Sequence, residues 1–297
     1  MRVDVNGTRF WFDVDGPGLV PDGREMRERP TVVLLHGGPG SFDHSYLKPD
    51  FARLSRDAQV IYLDLRGHGR SEWGDPAAWT FDACADDVRA FCDALGIARP
   101  VVYGHSLGGM VAMLYAARHP SHPAGLILDS TTARFDVARM VATFRRIAGD
   151  EVAETVARVY GGDSSGVSAE EWARCWALFG RRVPGAEEKG RIVVNAALNP
   201  PGLVLLTRFN ALDQLRRIDC PVLVCVGALD PATPVAAARE IMDALPGGCG
   251  RLEVIEEAGH FPWLDNPEAY WPVVSEFVAT IARPDRPCIR QGQGAGR

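Results

Sequence analysis

The stretch that most constrains the fold is residues 101–115, VVYGHSLGGMVAMLY. Val101-Val102-Tyr103 reads as a short buried strand, while Met110, Val111, Met113 and Leu114 carry helical spacing. Between them lies Gly104-His105-Ser106-Leu107-Gly108-Gly109. A strand that turns into a helix within so few residues throws its central serine out at the tip of a strained turn. Gly104 and Gly108 permit the turn, because a side chain at either would collide with the neighbouring strand or helix. The helix beginning beside Ser106 also points free N–H groups and a positive dipole end at any anion forming there. The bland alternative is a Gly-rich turn with an incidental serine, so the partners supplied elsewhere in the chain decide.

Length and charge bound the answer. At 297 residues, 46% hydrophobic and 24% charged, the chain has an ordinary globular composition with room for one large α/β domain or two small ones. A net charge of −6 argues against nucleic acid or an anionic membrane as the main partner. The opening MRVDVNGTRF has no apolar signal-type run. No window nears the roughly 18 apolar residues of a membrane span, so a cytoplasmic protein is expected. The seven cysteines (Cys84, Cys92, Cys175, Cys220, Cys225, Cys249 and Cys288) lack metal-type spacing and read as free thiols in a reducing compartment. No metal site and no cofactor are expected, since Gly37-Gly38-Pro39-Gly40 does not have dinucleotide-fingerprint spacing.

Along the chain, residues 1–15 alternate about an Asn6-Gly7 turn and predict a β-hairpin. A Pro/Gly/charge-rich loop is expected over 16–30, then a strand buried on both faces at 31–35, ending in His36-Gly37-Gly38-Pro39-Gly40. Glycines just past a strand let backbone N–H groups approach a ligand, and in a hydrolase half of an oxyanion hole would sit there. The strand Val60–Asp64 leads to a polar loop, 65–71, in which Asp64 and Arg66 are expected to fix backbone and His68 to be solvated. Thr80 caps an amphipathic helix stopped by Gly96. Further strands are expected at 125–129, 221–227 and 251–255, with a last helix over 267–282.

Residues 131–210 change texture to helical patterns without a convincing strand, which predicts an inserted helical lid between core segments 1–130 and 211–282. The Pro/Gly/Gln/Arg-rich tail, 283–297, is expected to be disordered. Strands alternating with helices give an α/β fold, a mostly parallel twisted sheet covered on both faces, with catalytic groups at the carboxyl ends of strands.

A serine needs a base to take its proton and a third group to hold the tautomer of that base. His36 and His105 adjoin backbone-critical glycines, His119 and His122 lie in a Pro-bounded turn, and His44 and His68 sit in polar loops. His260, in the Gly-bounded loop Glu256–Trp263 after a strand, is the favoured base. Asp230, just past the strand ending at Gly227, is the favoured acid; Asp129 at the end of the preceding strand is its rival, and Asp265 reads as a capping or surface residue.

With these motifs in their order, residues 1–282 resemble the α/β-hydrolase fold: HGGPG at 36–40, DLRGHGRS at 64–71, GHSLGG at 104–109, GALDPATP at 227–234 and EEAGHFPWLDNPEAYW at 256–271. Within that fold, HGGPG, the 64–71 loop and the helical insertion resemble the proline iminopeptidase group. The resemblance implies Ser106 as nucleophile, His260 as base, Asp230 as orienting acid, and the N–H groups of Leu107 and Gly38 as oxyanion hole. Two positions depart from that group. The elbow reads GHSLG where those peptidases usually read GGSWG, and Trp172-Ala-Arg-Cys-Trp176-Ala177 puts Ala177 where a glutamate would bind the substrate amine.

Glu151, Glu154, Asp163, Glu170, Glu171, Glu187 and Glu188 could substitute for it, or form a solvated face. Trp172, Trp176 and Phe179 fall on one helical face and serve either core packing or an apolar acyl pocket. The expected function is a serine hydrolase acting through an acyl-enzyme on a small amide, ester or short peptide. Proline iminopeptidase-like release of an N-terminal residue comes first and a carboxylesterase or lactonase second. A scaffold recruited for non-hydrolytic chemistry or binding is the alternative of another class.

Overall fold

The computed structural model describes residues 1–163, 165–182 and 186–281. In chain order the strands are β1 (Arg2–Val5), β2 (Thr8–Asp15), β3 (Leu19–Asp22), β4 (Glu25–Glu28), β5 (Thr31–Leu35), β6 (Gln59–Leu63), β7 (Val101–His105), β8 (Gly125–Asp129), β9 (Val222–Gly227) and β10 (Gly250–Ile255). Eight of them form one sheet in the order β1-β2-β6-β5-β7-β8-β9-β10. The pairs β1–β2 and β2–β6 are antiparallel, and all pairings from β6 to β10 are parallel.

The central strands are buried on both faces, and their period-two alternation sorts side chains into two cores. Val33, Leu35, Val102, Leu126, Leu128, Val222, Val224 and Val226 face one layer. Val32, Leu34, Val101, Tyr103, Ile127, Leu223 and Cys225 face the other.

The helices follow from local signals. After the single turn α1 (Lys48–Phe51), α2 (Phe81–Ala94) starts where the Thr80 side chain accepts from the Ala83 N–H at 3.1 Å. Gly96, at φ +69°, ends it as expected. Helix α3 (Leu107–Arg118) is buried from Leu107 to Ala117, so its apolar residues run all round rather than along one stripe. Its neighbour α2 and, further on, α9 (Val235–Ala244) share the first core; α11 (Pro267–Ile281) covers the second through Trp271, Val274 and Phe277. Between β8 and β9 run α4 (Val137–Ala148), α5 (Asp150–Tyr160), α6 (Ala169–Trp176), α7 (Ala186–Arg191) and α8 (Asn199–Thr207), and α10 (Pro262–Asp265) precedes α11. The described part of this 131–210 insertion is helix and loop, apart from one isolated antiparallel bridge, Arg134 with Asn210.

Several local expectations change. Residues 16–30 are not a plain loop: β3 and β4 pair as an exposed hairpin, and Gly23 at φ +63° permits its turn. His68 is fully buried rather than solvated, with Nδ1 bonded to the Arg66 carbonyl at 2.8 Å. His44 is buried as well, held by Asp64 at 2.7 Å. Arg66 does not brace its own loop but pairs with Asp87 on α2, whereas Asp64 does brace backbone, accepting from the His44 and Arg70 N–H groups at 2.9 Å each. Long-range packing closes over this Gly-rich loop, which is why a polar sequence ends up inside. The tail, 283–297, lies outside the described residues. Cys84, Cys92, Cys175 and Cys225 are buried free thiols. No helix among the described residues is long and apolar enough to cross a membrane.

Candidate active site

β7 delivers Ser106 into a backbone conformation of φ +53°, ψ −117°, outside the regions an L-residue prefers. Surrounding bonds hold it there: the Ser106 N–H donates to the Asp129 carbonyl at 2.9 Å, and the Thr131 hydroxyl donates to the Ser106 carbonyl at 2.7 Å. β-Carbons at Gly104 and Gly108 would collide with the Gly108 and Leu35 carbonyls respectively, which is the steric reason for glycine at both. Leu107 opens α3, so its N–H has no acceptor four residues back in the helix. Across the gap, the Gly37–Gly38 turn past β5 approaches so closely that a β-carbon on Gly37 would lie 3.5 Å from the Ser106 Cβ.

Asp230 follows β9 and is buried. Its Oδ1 accepts from the N–H groups of Ala232 and Thr233 at 2.9 and 3.0 Å, and its Oδ2 accepts from the Thr233 hydroxyl at 2.8 Å. That Oδ2 also lies 2.8 Å from Nδ1 of His260. A carboxylate so placed accepts from Nδ1–H and leaves Nε2 with a lone pair. Burial alone would raise the Asp230 pKa, but the charge of His260 and the hydrogen bonds from His260 and Thr233 outweigh it and hold the carboxyl below its ordinary value. The rival, Asp129, is also buried, but it accepts from the Tyr103 and Tyr270 hydroxyls at 2.7 and 2.6 Å.

Ser106 and His260 line one cavity of about 60 Å³. Its walls are Gly37, Gly38 and His105 on the sheet side, with Phe42, Phe135, Tyr160, Trp176, Phe179 and Phe261 as an aromatic lining completed by Met110, Met140 and Leu206. Trp176 and Phe179 therefore reach the cavity. Trp172 does not line it: α6 ends at Trp176, and Trp172 packs against Tyr160 with ring centroids 6.3 Å apart. No carboxylate is among the described lining residues. Four of the insertion's acids are engaged elsewhere: Glu151 pairs with Arg174, Glu171 caps Ser168, Glu187 pairs with Arg191 and Asp163 bonds Ser165.

A family model described as alpha/beta hydrolase fold matches residues 30–267. The chain belongs to that family. This α/β-hydrolase is 27% identical to a proline iminopeptidase of Heyndrickxia coagulans, over 94% of this chain and 98% of the relative. It is 30% identical to a pimeloyl-[acyl-carrier protein] methyl ester esterase of Neisseria meningitidis, over 87% of this chain and 98% of the relative. Among solved structures, VinJ superposes with a TM-score of 0.79 at 26% identity, over 95% of this chain and 98% of that one. One of these relatives is named a peptidase and another a methyl ester esterase.

Asp265 is not a surface residue of the hydrolase in any simple sense. Its carboxylate accepts from the N–H groups of Gly259 at 2.8 Å, Arg182 at 2.7 Å and Arg181 at 3.1 Å, joining the His260 loop to the insertion. Asp43, His44 and Asp64 cluster closely enough to suggest a metal site. Protein donors occupy both carboxylates, Ser45, Arg70 and Val193 on Asp43 and His44 and Arg70 on Asp64, so the cluster braces loops. Tyr46, Phe42, Phe135, Met140, Tyr160 and Leu206 have no motif around them. No local signal marks them, because only tertiary packing brings them to Ser106.

Proposed function

We propose that this hydrolase cleaves a small carboxylic ester through an acyl-enzyme, with Ser106 as nucleophile, His260 as base and Asp230 as the acid that orients it. Ser106 Oγ attacks the substrate carbonyl carbon while its proton passes to His260 Nε2. The carbonyl oxygen becomes an oxyanion, received by the N–H groups of Leu107 and Gly38 with the α3 dipole behind them. Collapse breaks the bond to the leaving group, which takes the proton from His260; water then repeats the sequence on the acyl-enzyme and releases the acid. The insertion, residues 131–210, acts as the lid that shapes the acyl pocket through Trp176 and Phe179.

The cavity lining carries the choice of ester over aminopeptidase. Its lining is mostly aromatic and aliphatic, the polar side chains besides Ser106 and His260 being His105, Tyr160 and Thr233, and it holds no carboxylate among the described residues. A free ammonium buried there would lose its hydration without an anionic partner, at a cost of several kcal/mol. An uncharged acyl group meets no such penalty. The proline iminopeptidase reading has support of its own in HGGPG and in the full-length relative of that name.

A side-by-side assay separates them: p-nitrophenyl butyrate against prolyl p-nitroanilide, with Ser106→Ala as control. Ser106-dependent turnover of butyrate with the prolyl amide untouched is the expected result. Strong Ser106-dependent turnover of the prolyl amide would overturn the ester assignment in favour of the peptidase. An unreactive Ser106, unlabelled by a fluorophosphonate, would favour a recruited, non-hydrolytic scaffold.

A further inference from the structure

We propose that Tyr46 and His105 are positioning residues that lock the oxyanion turn and the backbone of His260 into one unit, an inference that rests on the serine-hydrolase reading above. The Gly37 N–H donates to the Tyr46 phenolic oxygen at 2.9 Å. That oxygen lies 2.7 Å from His105 Nδ1, and His105 Nε2 lies 2.9 Å from the His260 carbonyl oxygen.

Elementary valence fixes the direction of every bond. A carbonyl oxygen only accepts, so His105 Nε2 carries the proton. A neutral imidazole then has a lone pair at Nδ1, so the Tyr46 hydroxyl donates to it and uses its own lone pair for the Gly37 N–H. Both side chains are buried, Tyr46 at 4% and His105 at 2% exposure, so water does not compete. Burial, and then the neighbouring His260, hold His105 well below the ordinary histidine range, which keeps it neutral. Aromatic packing fixes the ring: Trp263 meets it edge-on at 4.8 Å and Phe261 lies at 5.4 Å.

The consequence is geometric. The Gly37 N–H is committed to Tyr46, so the amide left to meet an oxyanion on that turn is that of Gly38, which lines the cavity. At the other end, His105 holds the His260 carbonyl while Asp230 holds the His260 ring. Residues separated by 59 and 155 positions along the chain are thus set relative to one another through the residue next to Ser106. Buried hydrogen-bonded networks of this kind lose more than one bond when a member is removed.

Two measurements test it. Kinetics compare Tyr46→Phe, His105→Ala and the double variant, with thermal midpoints recorded for each. Tyr46→Phe is expected to lower kcat by about 10- to 100-fold with KM changed less than about twofold, the cost of a misplaced donor rather than of a lost binding contact. The double variant is expected to be no slower than His105→Ala alone, because both remove one relay. A Tyr46→Phe enzyme with wild-type kcat, or losses that multiply in the double variant, would overturn the proposal. The second measurement is independent of turnover: long-range ¹H–¹⁵N spectra of the histidines in wild type and Tyr46→Phe. His105 is expected as the neutral, Nε2-protonated tautomer, with Nδ1 shifted when the tyrosine hydroxyl is removed. The opposite tautomer, or no shift, would refute the relay. An inactive wild type with the expected spectra would refute only the hydrolase assignment.

Discussion

The backbone N–H of His260 donates to the carbonyl oxygen of Phe179 at 2.5 Å. The proposed base is therefore hung on the helical insertion as well as on the sheet, and the wall of the cavity and the base share one hydrogen bond. The Phe179 ring also lies edge-on to the His260 ring at 5.5 Å. Whatever moves this part of the insertion moves the base with it.

The close approach leaves no room beside it. A β-carbon on Gly259 would collide with the Phe179 carbonyl and sit 2.9 Å from the Gly180 Cα. Gly259→Ala is expected to push the two segments apart, lowering kcat/KM by about 100-fold through misplacement of His260 and stability by about 1–3 kcal/mol through overpacking. Activity and urea midpoints check both; wild-type activity in the alanine variant would refute the coupling.

Asp230→Asn keeps the acceptor for the Ala232 and Thr233 amides but turns an N–H₂ toward His260 Nδ1, favouring the wrong tautomer. The expected loss is about 10⁴-fold in kcat with the fold intact. In the wild type, the sign of the pH effect follows from a lowered folded-state pKa. The contribution of this carboxylate is complete above its ordinary value of 3.8 and is lost as pH falls through the lower folded value. Urea midpoints of wild type and variant from neutral to acid pH measure that contribution.

Asp129 behaves oppositely. Burial drives its pKa up to about 7, although the Tyr270 and Tyr103 hydroxyls pull it down, and its Oδ1 is buried without a partner. The folded state holds the proton while the unfolded chain gives it up near the ordinary 3.8, so this group's stabilising effect is full at acid pH and is lost as pH rises to about 7. Asp129→Asn removes that slope. Between pH 4 and 8, its stability is expected to gain on the wild type by a few kcal/mol; parallel curves in urea titrations would contradict the assignment.

Trp176 stands on the cavity wall, 4.6 Å from the Phe179 ring and 5.7 Å from Phe42. Trp176→Ala is expected to lengthen the proposed acyl pocket. The ratio of kcat/KM for p-nitrophenyl octanoate to that for the butyrate is expected to rise about tenfold or more, the value of one or two methylenes newly accommodated. An unchanged ratio would place the acyl chain elsewhere.

Much of the fold was legible in the chain because its signals are local. Alternation marks the N-terminal hairpin and continuous apolar runs mark the central strands, Thr80 and Gly96 bracket α2, and glycines flank the Ser106 turn because sterics admit little else. The 16–30 hairpin was not legible: β3 and β4 are exposed, so no apolar alternation marks them. The burial of His68 is not legible either, because the polarity of its own loop says nothing of the packing that closes over it.

The sequence by itself determined the elbow, the order of the parallel strands' motifs and the candidates Ser106, Asp230 and His260, each tied to a strand end by short-range backbone geometry. Only the tertiary structure decided what surrounds them. Tyr46 meets Gly37 and His105, Phe179 meets His260, and Phe42 and Trp176 converge on one cavity, through contacts between segments remote in the chain. Such contacts follow from how layers pack rather than from any residue's neighbours. The cavity beside Ser106, and with it the proposed choice of ester over amine-bearing amide, belongs to that second class.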